Sequence, residues 1–488
     1  MVLSYVGGGA MNIKDLFVNV PYDFEVSGVQ IDSRRVLPGD IFVCIKGYTV
    51  DGHDYATEAQ TNGAAAIVAQ RHIKGIDIPQ IIIGDTGAVL PILAHAIFEE
   101  PTKNMNLFGV TGTNGKTTVA YMMEHLLRSF DEPVGYIGTN GIRYANITYN
   151  PVNTTPNALD LQSTFADMVK YGIRNVSLEV SSHALVLHRI DCCRFKVAIF
   201  TNLTPEHLDF HLTMEAYFEA KYKLFTMLDD DGFAIINIDD QYGRKIAKRL
   251  SESGINFYTY GINKNADFIA IHIKQTPTGT HFTLKFKDEF YPVHMPTLGL
   301  FNVYNVLGAI AGVWSAGLSI STATLAISKL PIIDGRMELI DVGQDFTVIV
   351  DYAHTPDSVE KVLEFAQGIK KEAIRMVIGC PGDRDKTKRP VMANLAVTGA
   401  DDVVFTTDDP HSEDPMTIIE EMVTGISAKN FEVVVDRKSA IERIFKKAQK
   451  DDVVIIAGRG HQKLQYFKSG NIEFDDREVV RDVLKELI

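Results

Sequence analysis

Short continuous apolar runs along the chain alternate with longer stretches in which apolar residues recur every three or four positions. The first pattern predicts buried strands and the second amphipathic helices. Before residue 105, Ile41-Phe42-Val43-Cys44-Ile45, Ala64-Ala65-Ala66-Ile67-Val68 and Gln80-Ile81-Ile82-Ile83 read as strands. Val29-Gln30-Ile31 alternates and ends in the polar turn Asp32-Ser33-Arg34, and 88–98 is a helix leading to Pro101. The next region holds strands at 108–111, 176–180 and 197–201 and helices at 119–127, 214–228 and 302–316. Its 257–296 stretch is β-like, with Thr276-Pro277-Thr278-Gly279 as a turn, and predicts an antiparallel edge on a parallel sheet. After residue 336, strands near 347–350, 374–378, 403–406, 432–435 and 453–457 alternate with helices.

This alternation predicts βαβ units, parallel sheets and a site at the strands' C-terminal ends. The expected class is α/β with three domains. They are a small mixed α/β domain at 1–104, a central P-loop parallel-sheet domain at 105–335, and a Rossmann-like doubly wound domain at 336–488.

Composition narrows the function classes. Hydrophobic residues make up 45% and charged residues 23%, as in ordinary globular proteins. No apolar run is long enough for a membrane span. A net charge of -14 works against nucleic acid as a partner. Cys44, Cys192, Cys193 and Cys380 have neither metal-ligand spacing nor the pattern of a disulfide framework, so reduced thiols in a cytoplasm are expected. Met1–Ala10 lacks the basic and apolar parts of a signal peptide and reads as a tag or upstream start before Met11. A monomer is expected.

The densest chemistry lies in Phe108-Gly109-Val110-Thr111-Gly112-Thr113-Asn114-Gly115-Lys116-Thr117-Thr118. Apolar residues lead into a glycine-rich turn that opens a helix, a variant P-loop with Val110 where the strict pattern has Gly. Backbone N–H groups and the helix dipole favour phosphate there, Lys116 neutralises it, and Thr117 offers a hydroxyl to Mg²⁺. Glu179 ends a buried strand and is a second candidate for Mg²⁺. Ser181-Ser182-His183 follow it, and Asn202 through Asp209, including His207, follow the next strand. Taken alone, His207 is a structural histidine, though its polar neighbours point toward function; Lys221 and Lys223 are solvated helix lysines, and Asp32-Ser33-Arg34 and Asp51-Gly52-His53 are turns that could touch a ligand.

Four polar motifs end successive strands of the third region: Asp351-Tyr352-Ala353-His354, 379–385, Asp408-Asp409-Pro410-His411 and Gly458-Arg459-Gly460-His461-Gln462. They predict a second wall facing the P-loop. Such a site transfers phosphoryl to a hydroxyl or to a carboxylate. A carboxylate acceptor needs no base and gives an acyl phosphate that an amine converts to an amide.

These motifs, with Asn153-Thr154-Thr155-Pro156, Ala220-Lys221, Asn302, Asn305, Gly335-Arg336-Met337-Glu338 and Lys388-Arg389-Pro390, resemble the Mur ligases, in the branch that adds the third peptide residue. The likeness runs from about Met11 to the C-terminus. It implies an ATP- and Mg²⁺-dependent amide ligase acting on UDP-N-acetylmuramoyl-L-alanyl-D-glutamate and a free amino acid. Lys116, Glu179, His207 and Lys221 would be catalytic, and Thr117, Glu179, His207 and a carbamylated Lys221 would support the metals. Gly112, Thr113, Asn114, Gly115, Lys116, Thr117, Thr118, Asn302, Arg336, Asp351, Tyr352 and His354 would hold ATP. Ser33, Asn153, Thr154, Thr155, Ser181 and Arg189 would hold the UDP-peptide. Arg384, Asp408, Asp409, His411, Gly458 and Gln462 would meet the amino acid.

The chain departs from the family in the amino-acid pocket. Members specific for meso-diaminopimelate carry Asp-Asn-Pro-Arg where this chain has Asp408-Asp409-Pro410-His411, and Glu where it has Gln462. Pro381 also stands where the family has Gly. A histidine clamps a carboxylate less well than arginine near neutral pH. The added amino acid therefore stays open, as does a paralogous ligase with another amino acid or acceptor peptide. A folate-polyglutamate or polyamino-acid ligase and a nucleotide-binding scaffold without catalysis are the more distant readings.

Overall fold

Strand Asn106–Thr111 leads into the P-loop and lies inside an eleven-stranded sheet. In this computed structural model, which describes residues 10–47, 50–130, 132–276 and 279–487, it pairs in parallel with Asn175–Glu179 on one side and Phe195–Phe200 on the other. Val134–Gly138, Leu228–Asn237, Phe257–Gly261 and Phe268–Thr276 extend the parallel part. Antiparallel strands close both edges: Gly141–Tyr144 with Ile147–Tyr149 at one, Gly279–Phe286 with Glu289–Met295 at the other. The second edge is the one the β-like stretch predicts; Pro277 and Thr278 of its turn, like Met1–Gly9, fall outside the described residues.

The parallel strands beside the P-loop are largely apolar because helices cover both faces. Phe108 and Val110 face a core shared with Val119, Met123 and Leu126 of helix Lys116–Arg128 and Val306 and Ile310 of helix Leu300–Ser315. Leu107 faces the opposite core, with Leu161 and Phe165 of Ala158–Lys170 and Ile246 and Leu250 of Gln241–Ser253. Period-two alternation thus sorts one strand between two cores.

Two smaller sheets flank this one. Gly28–Gln30, Asp40–Val43, Ala66–Ala69 and Gln80–Ile82 form a four-stranded parallel sheet. Helix Thr86–Ile97 packs beneath it, and Leu90, Leu93 and Ile97 share a core with Ala158 and Leu159 of the central unit. The third sheet runs Glu338–Leu339, Thr347–Asp351, Val453–Ala457, Ile374–Ile378, Asp402–Phe405, Phe431–Val433, parallel but for its first strand. This order sets the ends at Asp351, Gly379, Thr406 and Gly458 on one rim. Behind the rim, fully buried Arg437 makes two 2.7 Å bonds to fully buried Asp476, fixing the final helix Asp476–Leu487.

Two local expectations change. The helix read over 214–228 stops at Tyr222, passes through a 3₁₀ turn at Lys223–Met227, and gives way to a strand at Leu228. That strand begins Leu228-Asp229-Asp230-Asp231, and its acidic opening hides a run that is apolar only from Phe233 onward.

Candidate active site

The strand ends of the central and third sheets face each other across a cleft of about 1050 Å³. The P-loop forms its floor. Gly112 (φ 154°) and Gly115 (φ 86°) take backbone positions that leave no room for a side chain: a Cβ at Gly112 would meet Thr201 Oγ1 at 1.8 Å, and one at Gly115 would meet Asn305 Oδ1 at 2.6 Å. Asn202 holds the loop by accepting from Thr113 N at its carbonyl (2.9 Å) and from Asn114 N at its side chain (2.9 Å). Helix Lys116–Arg128 starts without a side-chain cap, so its first-turn N–H groups are left for an anion in the cleft. Lys116 Nζ folds back onto the carbonyls of Gly112 (2.9 Å) and Thr113 (2.8 Å).

Parallel pairing with the P-loop strand puts Glu179 beside Thr117. The Glu179 side chain is fully buried and accepts from Thr117 Oγ1 (2.9 Å), Tyr136 OH (2.8 Å), Thr139 N (2.8 Å) and Thr139 Oγ1 (3.2 Å). A buried carboxylate needs such a set of donors. Thr117 and Glu179 offer oxygen donors in the number Mg²⁺ usually takes from protein, the rest coming from phosphate and water. Among the described residues no three His, Cys, Asp or Glu converge as a closed cage. The residues present therefore fit Mg²⁺ bound together with a phosphate ligand.

On the other side of the P-loop strand lie His207 and Lys221. His207 has a left-handed backbone (φ 56°), and its ring lies 4.9 Å from that of His183. Burial, with His183, Lys116 and Lys221 nearby, pushes its pKa down to about 2, so it is neutral and a nitrogen lone pair is available. Lys221 is 1% exposed, unlike the solvated lysine its helix position suggests. Its Nζ donates to Gly112 O at 2.7 Å and lies 4.6 Å from the Tyr217 ring centroid. Burial, and then Lys116, lower its pKa well below the usual lysine value.

The third sheet supplies the roof. Arg336 packs over the Tyr352 ring at 4.5 Å and donates from Nη2 to Thr117 Oγ1 at 3.3 Å. Asp357 accepts from Asn114 Nδ2 at 2.7 Å. Asp351 is buried, accepts from Met337 N at 2.7 Å, and has its pKa raised to about 6 by burial. His354 Nδ1 bonds Tyr352 O at 2.8 Å, and burial lowers its pKa to about 3. Asn302 and Asn305 link through a 2.8 Å bond at the P-loop's flank.

Asn153, Thr154, Ser181 and Arg189 line the opposite end. Thr154 reaches the Glu179 cluster through Thr139 (3.0 Å). Thr155 is fully buried and structural: it donates to Glu179 O (2.7 Å) and accepts from Ser181 N (3.1 Å), while its carbonyl takes Arg189 Nη1 (2.9 Å). Ser33 lies outside the cleft lining, in the N-terminal unit, with its hydroxyl on Glu58 at 2.5 Å.

Of the residues expected to meet an amino acid, only Arg384 lines the cleft. Asp408 and Asp409 are buried. Asp409 is ion-paired with Arg459, and Asp408 Oδ1 caps Asp409 N at 2.7 Å. Gly458 (φ 114°) is held against Asp408, where a Cβ would come within 2.3 Å of Oδ2. His411 (φ 52°) bonds Tyr466 O through its N–H (2.8 Å) and stacks on the Tyr466 ring at 5.5 Å. Burial and Arg384 lower its pKa. Gln462 is half-buried, its N–H on Arg459 O (3.1 Å).

The sequence singles out neither Tyr136 nor Thr139, which serve Glu179, and places Glu206 in a polar run without a role, though it lines the cleft. Thr139 had a readable signal: it sits in the Gly138-Thr139-Asn140-Gly141 turn. Tyr136 lies mid-strand and carries none.

Three family models cover most of the chain: the Mur ligase family catalytic domain at residues 25–105, the Mur ligase middle domain at 110–313, and the Mur ligase glutamate ligase domain at 335–460. The chain is 44% identical over 466 residues to the UDP-N-acetylmuramoyl-L-alanyl-D-glutamate--2,6-diaminopimelate ligase of Bacillus cereus, covering 94% of each chain. It is 45% identical to the ligase of the same name from Bacillus licheniformis, covering 95% of this chain and 96% of the other. A solved structure of such a ligase superposes with TM-score 0.71 at 30% identity over 98% of this chain and 99% of that one.

Proposed function

The chain belongs to the Mur ligase family, and from that premise we propose that it is an ATP-dependent ligase adding the third amino acid to UDP-N-acetylmuramoyl-L-alanyl-D-glutamate in peptidoglycan synthesis. One observation carries the reading: Lys116, Thr117, Glu179, His207 and Arg336 line one cleft, and Lys221 lines it beside them. The relatives' names favour this acceptor over a folate or polyamino-acid acceptor.

We assign ATP to the floor formed by Gly112–Thr118, with Asn302, Arg336, Asp351, Tyr352 and His354 above it. Lys116 leaves its two carbonyls for the β/γ-phosphates, and the uncapped helix end faces them. Thr117, Glu179 and His207 would hold Mg²⁺, with Lys221 as a carbamate. When bound, the metal ions neutralise charge on the phosphates and the acceptor carboxylate. Neutral Lys221 is the form that captures CO₂, and its burial favours that form. Asn153, Thr154, Ser181 and Arg189 orient the muramoyl dipeptide, with Ser33 and the 1–104 unit toward its uridine end. The dipeptide carboxylate attacks the γ-phosphate, ADP leaves, and the amino acid's amine displaces phosphate from the acyl phosphate. The 336–488 unit, lying over the 105–335 unit, excludes water that would hydrolyse that intermediate. ATP, a UDP-linked substrate and free thiols support a cytoplasmic setting, and we infer a monomer.

For the incoming residue we carry over 2,6-diaminopimelate, which the relatives' names specify. One observation favours a second reading, an amino acid without a distal carboxylate: His411, held neutral beside Arg384, is a weak clamp. The test is phosphate release from Mg·ATP with the muramoyl dipeptide and single amino acids, with products weighed by mass spectrometry. Release dependent on one amino acid establishes the ligase and names its substrate. No release by protein that still binds ATP refutes the acceptor.

A further inference from the structure

Glu206 and Lys388 stand 182 residues apart, one in the central unit and one in the C-terminal unit. Lys388 opens helix Lys388–Gly399, and its Nζ lies 3.3 Å from Glu206 Oε1. Their side chains are only 5% and 9% exposed, so this is a desolvated ion pair across the domain boundary. Such a pair adds little net stability, because desolvation cancels the attraction; its best-attested use is to select one arrangement over others.

Glu206 immediately precedes His207, whose left-handed backbone starts the short helix Leu208–His211. Glu206 also lines the cleft, where its charge and that of Lys116 act on each other. Among the described residues, the Arg477–Asp334 pair (2.9 Å) crosses beside the chain connection itself, and Asn114 to Asp357 and Arg336 to Thr117 cross at the cleft, where both engage P-loop groups that a nucleotide would claim. The Lys388–Glu206 pair engages no P-loop group.

We propose that the Lys388–Glu206 pair is a closure latch, in which docking of the C-terminal unit fixes the loop carrying His207 and keeps Glu206 off Lys116. The proposal rests on the cleft being the ATP site. Lys116 is the central-unit cation whose charge acts on Glu206, and with the units apart it has no competitor from Lys388. With the units together, Lys388 takes Glu206 and releases Lys116 to phosphate. Both are positioning residues; neither touches the reacting atoms.

The experiment uses the full chain, with Lys388→Met, Lys388→Arg, Glu206→Gln and the Met/Gln double variant. Three quantities are read: kcat and KM for ATP from phosphate release, thermal unfolding, and closure on adding a non-hydrolysable ATP analogue. Closure is followed by energy transfer between fluorophores on the two units. Lys388→Met is expected to lose about tenfold or more in kcat, the scale on which contacting charges couple. Its KM for ATP should move less, its unfolding temperature should hold, and analogue-driven closure should weaken. Lys388→Arg restores most of the rate, and the double variant is no worse than either single one. Wild-type kcat and closure in Lys388→Met, or additive losses in the double variant, overturn the latch. Wild-type protein that fails to bind the analogue overturns the ATP-site reading itself, and the latch with it.

Discussion

Lys116 and Lys221 donate to the same acceptor: both Nζ atoms bond the carbonyl of Gly112, at 2.9 and 2.7 Å. Two buried ammonium groups on one oxygen repel each other, and burial lowers the pKa of both. The cheapest relief is for one to be neutral. Lys221, the one lowered well below its usual value, is the candidate: a neutral amine that adds CO₂ forms an N–C bond, releases a proton to solvent and becomes a carbamate anion able to pair with its neighbour. Lys221→Ala is therefore expected to lose at least about a hundredfold in kcat, the loss that follows removal of a preorganised electrostatic group. Wild-type activity should fall in CO₂-stripped buffer and return with bicarbonate. Indifference to bicarbonate in a protein whose Lys221 is essential would leave the amine, not a carbamate, as the working group.

Tyr136 supplies one of the donors on Glu179, from a wholly buried ring. Tyr136→Phe removes that bond and keeps the shape. A hydrogen bond to a charged group contributes about 1.5–3 kcal/mol, so denaturant unfolding should show a loss of this order. The Mg²⁺ concentration for half-maximal activity should also shift, because the carboxylate loses an orienting donor. A change in stability with no change in Mg²⁺ dependence would confine Tyr136 to the fold.

His461 lies 5.3 Å from the Tyr352 ring, and burial together with Arg336 lowers its pKa to about 3. In the unfolded chain a histidine takes its proton near pH 6.5. Below that pH the unfolded state binds a proton that the folded state refuses. Stability from this group is thus present above pH 6.5 and is lost as pH falls toward 3, by up to about 1.4 kcal/mol per pH unit. Urea unfolding at pH 7, 6 and 5 should show a shallower acid slope for His461→Asn than for the wild type. Equal slopes would mean that His461 accepts its proton while folded.

His411 offers the sharpest test of amino-acid choice. His411→Arg puts a permanent cation where burial and Arg384 now favour a neutral ring. If diaminopimelate is the substrate, its KM should fall about tenfold with the KM for ATP unmoved, the worth of one charge-assisted bond. If a residue without a distal carboxylate is used, the same change should leave its KM unimproved and admit diaminopimelate instead.

Much of this site can be read from sequence because its residues follow strand ends. Gly112–Thr118, Glu179, His207, Asp351 and His354 stand at the end of an apolar run or in the polar segment after it, and a parallel sheet gathers such ends on one rim. What stayed hidden depends on pairing. Lys221 has the local surroundings of a solvated helix lysine; the family resemblance singles it out, but only the fold puts it under Gly112. Asp408 and Asp409 sit at a strand end like the others, yet Arg459 draws Asp409 inward, and nothing local tells an inward carboxylate from one that faces a ligand. The strand Leu228–Asn237 was obscured by three acids at its solvent end, where the pattern of its buried half does not apply.

The central sheet is finished on both sides by antiparallel strands, so no strand bearing a reactive end lies at an edge. Insertions and deletions in such a protein can accumulate in the hairpins, where an added residue alters only the outermost pairing. Lengthening a loop there leaves the spacing between the P-loop and its two neighbouring strands unchanged. The architecture thus separates the places where lineages can diverge in outline from the few ångströms that must stay constant for the chemistry to be inherited.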